Sequence, residues 1–424
     1  MPSNDTDEQD ATRREYVKYG GAVVGAGILA GCAGTDSQST TESTPAETAT
    51  GTGTAVTASP TETASTAAAM DPVGEVSFET APESWVGGFG FTADVLTALG
   101  HADGVAGMLG PSYWFQGFYD RIGVSAPSPD EVTKVTSEDW SILAEELYEL
   151  DPDVVGVDPN VFLYYGLSTE ELGRLTDEVA PFFGNASRRT RVEGWPDWPD
   201  GAYDYYDIPS FIRRYGRAFG ETERAAALVD TYEPALADIT SRAPTGSDRP
   251  TVGLLNGRYN PQNRDGFVVY DPASEIDRTY GKKQYRDLNV RDAFAGVYDG
   301  QSSVTVGYEA LLEHDPDVIV FHLGVSHRDL GGENYVQPTV DLLYDNSVTS
   351  QVTAVEEDAL YVGGTPYQGP IVNLFQTEMT AKQLYPDEFG AWPGFSAGES
   401  YPDIPADERL FDRERLAAIV AGDR

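Results

Sequence analysis

The chain holds one cysteine, four histidines and, on counting, only five lysines in 424 residues. A single cysteine, Cys32, excludes an intramolecular disulfide and any cysteine-built metal cluster. His101 falls in a turn, and His314 closes a helix, where the partial negative end of the backbone dipole favours it. His322 and His327 stand together after a strand, but no third ligand follows at zinc spacing, so no metal site and no cofactor are expected. Catalytic motifs are missing as well. There is no Gly-x-Ser-x-Gly, no phosphate-binding P-loop and no His-Glu-x-x-His, and carboxylate pairs carry little weight in so acidic a chain. Positive charge is the scarcest commodity: 28 basic residues face 69 acidic ones, for a net charge of −41. Such a surface repels phosphate backbones and argues against nucleic acid as a partner. It suits a saline environment, where self-repulsion is screened over about 3 Å at 1 M salt. An ordinary acidic cytosolic protein is the plainer alternative.

A long apolar run is also lacking. "YGGAVVGAGILAG" is too short and too glycine-rich for the roughly 20 residues that span a bilayer. It follows the paired Arg13 and Arg14 and ends at "LAGC". Residues 1–31 therefore read as a twin-arginine export signal with a lipobox, and Cys32 as the lipid-bearing first residue of the mature chain; an uncleaved anchor is the alternative. One short acyl chain holds a membrane weakly, so tethering calls for a double chain. The expected location is the cell surface, on the outer face of the cytoplasmic membrane. Residues 32–72 are a Thr/Ser/Ala tract without apolar periodicity, expected to be a disordered stalk suited to O-glycosylation. A folded body is expected from Val73. Asn185 begins the sequon "NAS".

What the body does contain is a sentence written twice. "EELYELDPDVVGV" begins at Glu145 and "EALLEHDPDVIVF" at Glu309. Each reads as an amphipathic helix, broken at Pro152 or Pro316, then a short β-branched strand suited to a buried parallel position. Two helix–strand units about 160 residues apart suggest two similar α/β lobes. Between them, "FGETERAAALVDTYEPALADITSRA" places Ala225, Leu228, Val229, Tyr232, Leu236 and Ile239 on one side of a long helix. The expected organisation is an α/β lobe over 73–216, a bridging helix over 217–243, a second α/β lobe over 248–390, and a tail with a closing helix over 391–424.

This pattern resembles the substrate-binding proteins of ABC importers for ferric siderophores and vitamin B12. The stretches that carry it are "FGFTADVLTALGHADGVAGM" and "EELYELDPDVVGV" in the first half. In the second half they are "PTVGLLNG", "VTVGYEALLEHDPDVIVF" and "VTAVEEDALYV". They cover about residues 76–390, and "GWPDWPDGAYDYYDIPSF" departs from the pattern. The resemblance implies two α/β lobes joined by a single long bridging helix, with a ligand cleft between them. It implies a lipid-anchored receptor, not an enzyme, that captures a ferric siderophore and passes it to a membrane permease and its ATPase. It also implies that Glu145 and Glu309, each seven residues before its proline, dock on that permease. An acidic residue in a first helical turn is also worth about 0.3–1 kcal/mol to the helix alone. Vitamin B12 or haem is the alternative ligand, and a surface-tethered hydrolase or interaction module the alternative class. Haem ligation by His or Tyr stays open.

In α/β sheets the crevice lies beyond the carboxyl ends of the strands. Loops there carry the candidate ligand residues. Tyr113, Trp114 and Phe115 are adjacent aromatics, of which at least one is expected to be exposed, either as peripheral core or as an apolar cleft wall. Arg258 and Tyr259 follow the strand "TVGLLN". Between Asn256 and Arg291 seven basic residues meet five acidic ones. Arg278, Lys282 and Lys283, beside Tyr280 and Tyr285, suit either an anionic chelate or a salt-bridged surface. His322 and His327 share "HLGVSHRD", and Tyr367 lies in "GGTPYQGP".

Overall fold

The computed structural model describes residues 66–423 apart from 192–193, 200–202, 248, 258–260, 264, 273–279, 326–335 and 396–400. The segments expected to be an export signal and a stalk, with Cys32, lie outside the described residues up to residue 65. Residues 66–72, assigned to the stalk by composition, form a strand and its turn. β1 (Thr66–Met70) pairs in antiparallel register with β2 (Gly74–Phe78), and Ala68 and Met70 are buried in the same core as the first-lobe helices. A poly-alanine strand carries no alternation of polarity, so its pairing was not visible in composition.

Two sheets follow, one for each copy of the repeated sentence. The first comprises β3 (Trp85–Gly87), β4 (Val105–Met108), β5 (Thr133–Lys134) and β6 (Val154–Gly156), all parallel, in the order β5-β4-β3-β6. Its helices are α1 (Gly90–Ala98), α2 (Ala144–Leu150), α3 (Pro159–Tyr164), α4 (Thr169–Glu178) and α5 (Ile208–Ala218). After α6 (Thr222–Arg242), the second sheet comprises β7 (Thr251–Asn256), β8 (Phe267–Tyr270), β9 (Arg291–Asp292), β10 (Ser303–Val306), β11 (Val318–His322) and β12 (Leu360–Val362). Its order is β10-β8-β7-β11-β12, with β9 also on β7; β8 runs antiparallel to its neighbours. Around it lie α7 (Lys283–Asp287), α8 (Tyr308–His314), α9 (Gln337–Asp345) and α10 (Thr353–Glu356). α11 (Pro370–Leu384), α12 (Pro386–Phe389) and α13 (Arg413–Ala421) complete the chain.

The repeat has a common mechanism. α2 and α8 each end on an aspartate in the left-handed region, Asp151 at φ 43° and Asp315 at φ 40°. The next aspartate then ties its strand to the neighbour. Asp153 accepts the Ser84 amide at 2.8 Å and the Glu83 amide at 2.9 Å; Asp317 accepts the Thr251 amide at 2.7 Å. The hydroxyls of Ser84 and Thr251 bond the same carboxylates and accept the Asp153 and Asp317 amides in return. Each strand thus starts beside its parallel partner, with Trp85 opposite Val154 and Val252 opposite Val318.

The expected bridging helix is shorter than 217–243, because Gly220 at φ 73° separates α5 from α6. Its 21 residues span about 31 Å. Ala225 to Leu236 pack in the core around α1 and α5, whereas Ile239 joins the core of β7, β8 and β11. It does not link the two cores alone. All fifteen residues of α11 are buried, Ile371 to Met379 in the first core and Ala381 and Leu384 in the second.

Candidate ligand cleft

The carboxyl ends of the strands bring a set of rings together. Phe89, after β3, stacks on Tyr367, after β12, with centroids 4.8 Å apart and planes at 22°. Tyr113, after β4, meets both edge-on, at 5.6 Å from Phe89 and 5.2 Å from Tyr367. Trp140 lies 5.8 Å from Phe89 and stacks on Tyr165 at 5.8 Å. Trp140 also sits at φ 67°, an unusual backbone conformation for a bulky side chain, and such outliers cluster where a fold positions a functional group. The Arg188 guanidinium lies 5.1 Å from the Tyr367 ring centroid. Loops from both sheets therefore build one aromatic wall with an arginine on it.

A second arginine is fixed close by in sequence. Arg191 stacks on Tyr203 at 3.4 Å, pairs with Asp197 at 2.9 Å and stands 3.9 Å from Asp158. Asp158, at the end of β6, anchors this segment by accepting Tyr203 Oη at 2.6 Å and the Ala186 amide at 3.2 Å. Burial raises its pKa, against the hydrogen bonds from Tyr203 and Asn160 and the charge of Arg191. The run "SRRTR" at 187–191 is not among the residues expected from sequence. Three arginines in four positions, in a chain this poor in positive charge, were the available signal.

The candidates from sequence divide. Tyr113 and Tyr367 meet in the wall. Trp114 does not: it is 2 % exposed and donates its indole N–H to Tyr119 Oη at 3.0 Å. The expectation that one of Tyr113, Trp114 and Phe115 is exposed is overturned, since all three are buried. The short 3₁₀ turn at Pro111–Tyr113 sends them apart, Tyr113 to Phe89, Trp114 to Trp85 and Phe115 to Phe118. Tyr280 stacks on Phe91 at 3.9 Å, and its amide donates to Ser187, which makes it a joint between the two halves of the fold. His322 is the last residue of β11 rather than a loop residue, buried edge-on between Tyr270 and Tyr285. Lys283 pairs with Asp287, and Lys282 is buried near the Tyr270 ring. Arg258, Tyr259, Arg278 and His327 lie outside the described residues. Among the described residues, no group of three metal-ligating side chains converges.

Asn185 is buried, and its amide nitrogen donates to the carbonyls of Asp71 and Asp204, each at 3.0 Å. The folded chain does not present that nitrogen for glycosylation. Glu145 and Glu309 are exposed in the first turns of α2 and α8. A cavity of about 510 Å³ lies at the far end of α1, between Ile122–Ser125 and α13, and no aromatic or basic side chain lines it.

Residues 88–366, from the first wall loop to the residue before Tyr367, match the family model described as periplasmic binding protein. The chain belongs to the periplasmic binding protein family. Such proteins bind a small molecule outside the cytoplasm for an ABC importer, and the carboxyl ends of the strands are where this family member has its convergent rings. Solved structures with similar folds include a TroA-like periplasmic binding protein, FepB, from Veillonella parvula. It is 15 % identical, with a TM-score of 0.54, covering 84 % of this chain and 95 % of that one. CeuE from Helicobacter pylori, in a nickel–histidine complex, is 14 % identical at a TM-score of 0.51, covering 77 % and 90 %. The heme binding protein HmuT is 17 % identical at 0.50, covering 78 % and 92 %. At these identities the likeness is one of fold. No curated protein matches the chain. Among the described residues, no helix is long and apolar enough to cross a membrane.

Proposed function

We propose that this periplasmic binding protein is the lipid-anchored receptor of an ABC importer and captures a ferric siderophore. The observation that carries this reading is the wall of Phe89, Tyr113, Trp140 and Tyr367 with the Arg188 guanidinium against it. Phe89 and Trp140 are half-buried and offer apolar area to an organic chelate with little loss of side-chain entropy, Tyr113 and Tyr367 are buried and back them, and a guanidinium bonds anionic oxygen in a fork. In a chain of net charge −41, arginine placed on an aromatic wall favours an anionic ligand. Arg258 and Tyr259, which follow β7 in the sequence, are proposed as further ligand contacts. Cys32 would carry the lipid, and the Thr/Ser-rich tract would lift the body from the membrane.

The test is the colour and metal content of protein recovered from spent medium in molar salt. Iron with a visible charge-transfer band is expected, and Tyr367→Ala should weaken recapture of the chelate at least tenfold. A Soret band would point to haem instead, cobalt to vitamin B12, and neither metal nor chromophore would remove the iron reading.

A further inference from the structure

Asp94, on α1, is fully buried behind the aromatic wall, and the ligand reading leaves it without a task. Its two oxygens serve different parts of the molecule. Oδ1 accepts the Tyr119 hydroxyl at 2.8 Å, and that hydroxyl oxygen accepts the Trp114 indole N–H at 3.0 Å. Oδ2 accepts the backbone amides of Ile371 at 3.0 Å and Val372 at 3.2 Å, in the first turn of α11. α11 has no side-chain cap of its own, because Gly369 stands at its N-cap. A Cβ there would lie 2.6 Å from Asp94 Oδ2, so glycine is what admits the carboxylate. Negative charge at a helix N-terminus is favourable, so Asp94 caps α11 from another helix. Both ends of this arrangement lead to the wall: Trp114 follows Tyr113, and Tyr367 precedes Gly369 by two residues.

We propose that Asp94 is a positioning residue that holds Tyr113 and Tyr367 in register within the wall, and that a proton taken up by its carboxylate reverses the Tyr119–Asp94 hydrogen bond behind them. With Asp94 ionised, the chain runs from Trp114 through Tyr119 to Asp94. A proton arriving from solvent on Oδ1 makes the carboxyl a donor to Tyr119, whose own hydrogen must then leave Oδ1 for another acceptor. Trp114 then shares an acceptor that is engaged, and the α11 amides lose the full negative charge.

The titration falls in an accessible range. Burial raises the Asp94 pKa to about 7, against the opposing hydrogen bonds from Tyr119, Val372 and Ile371. Tyr119 and, from α6, Tyr232 are the titratable groups that sense its charge, and burial pushes both well above the ordinary tyrosine range. Of the charged side chains of α5, α11 and α13, which also pack on α1, Arg217 and Arg415 are exposed and the others engage elsewhere. Arg213 pairs with Glu233, Arg214 bonds the Ala69 carbonyl, Lys382 bonds the Phe389 carbonyl, Arg413 pairs with Glu378 and Glu414 with Arg409. Because the folded pKa lies above the ordinary 3.8, the folded chain holds a proton that the unfolded chain releases. Its stabilising effect is fully present below the ordinary value and is lost as pH rises through about 7. Local order at the wall and global stability therefore move in opposite directions.

The relevance of the register rests on the cleft reading, but the test uses no ligand, so the two fail separately. Near-ultraviolet circular dichroism and tryptophan emission are followed against pH in molar potassium chloride, together with hydrogen exchange of the peptide 366–376. The wild-type chain is expected to show one tryptophan transition around pH 7, with slower exchange on its alkaline side. Asp94→Asn mimics the protonated carboxyl, offering its oxygen to Ile371 and Val372 and its N–H to Tyr119. It is expected to stay at the acidic end point at every pH. No transition in the wild type, or the same transition in the variant, overturns the proposal. Should Asp94→Asn fail to fold, Tyr119→Phe must lose the tryptophan transition yet keep the exchange transition in 366–376; a retained tryptophan transition overturns the proposal equally.

Discussion

Asp153 and Asp317 do one job in two places. Each carboxylate gathers the backbone and hydroxyl donors at the start of a neighbouring strand, and so fixes where β6 and β11 enter their sheets. Burial opposes ionisation of Asp153, but the hydrogen bonds from Ser84 and Glu83 outweigh it and hold its pKa below the usual carboxylate range. Asp153→Ala and Asp317→Ala should each cost about 1–3 kcal/mol, the usual loss for a hydrogen bond to a charged group. The two sheets share neither partner, so the double variant should equal the sum to within about 0.5 kcal/mol. Denaturant unfolding in molar salt reads both values; a double variant no worse than either single one would mean that the sites are coupled. The sequence showed the repeat and the proline break within it. It could not show the job of the second aspartate, because the partners lie 69 and 66 residues away.

Elements were legible where one face is wet. α2, α8 and α13 alternate apolar and polar positions at helical spacing, and "LFDRERLAAIVAGDR" reads as a closing helix; the structure adds Asp412 as its cap. α11 escaped notice for the opposite reason. It is buried all round yet carries Asn373, Gln376, Thr377, Glu378, Thr380, Lys382 and Gln383, so it has no polar stripe to detect. Those groups are used internally. Glu378 and Arg413 form a buried ion pair at 2.5 Å, with Tyr401 Oη on the same carboxylate at 2.9 Å, and this binds the tail to α11. Removing one member leaves the other charge uncompensated, which typically costs about 3–5 kcal/mol. Arg413→Ala should show that loss in thermal unfolding, and adding Glu378→Gln should recover part of it. A neutral Arg413→Ala variant would mean that the aromatic packing of Phe375, Tyr401 and Phe411 holds the tail without the pair.

For the whole molecule, the matched units matter through the charges they display. Glu145 and Glu309 stand exposed at equivalent positions of α2 and α8, one beside each sheet. Many other exposed carboxylates surround them, so charge alone cannot single them out to a permease. At molar salt, screening over about 3 Å removes long-range attraction and leaves only contacts that are desolvated or bidentate. The resemblance implies that these two carboxylates, at matched positions of matched helices, make such contacts. Glu145→Ala with Glu309→Ala should therefore abolish uptake by an importer reconstituted in molar salt, while ligand affinity measured on the purified receptor stays unchanged. Each single variant should retain part of the activity, since one contact remains. Undiminished uptake by the double variant would show that the permease grips some other part of the surface, and the two glutamates would then serve only the first turns of their own helices.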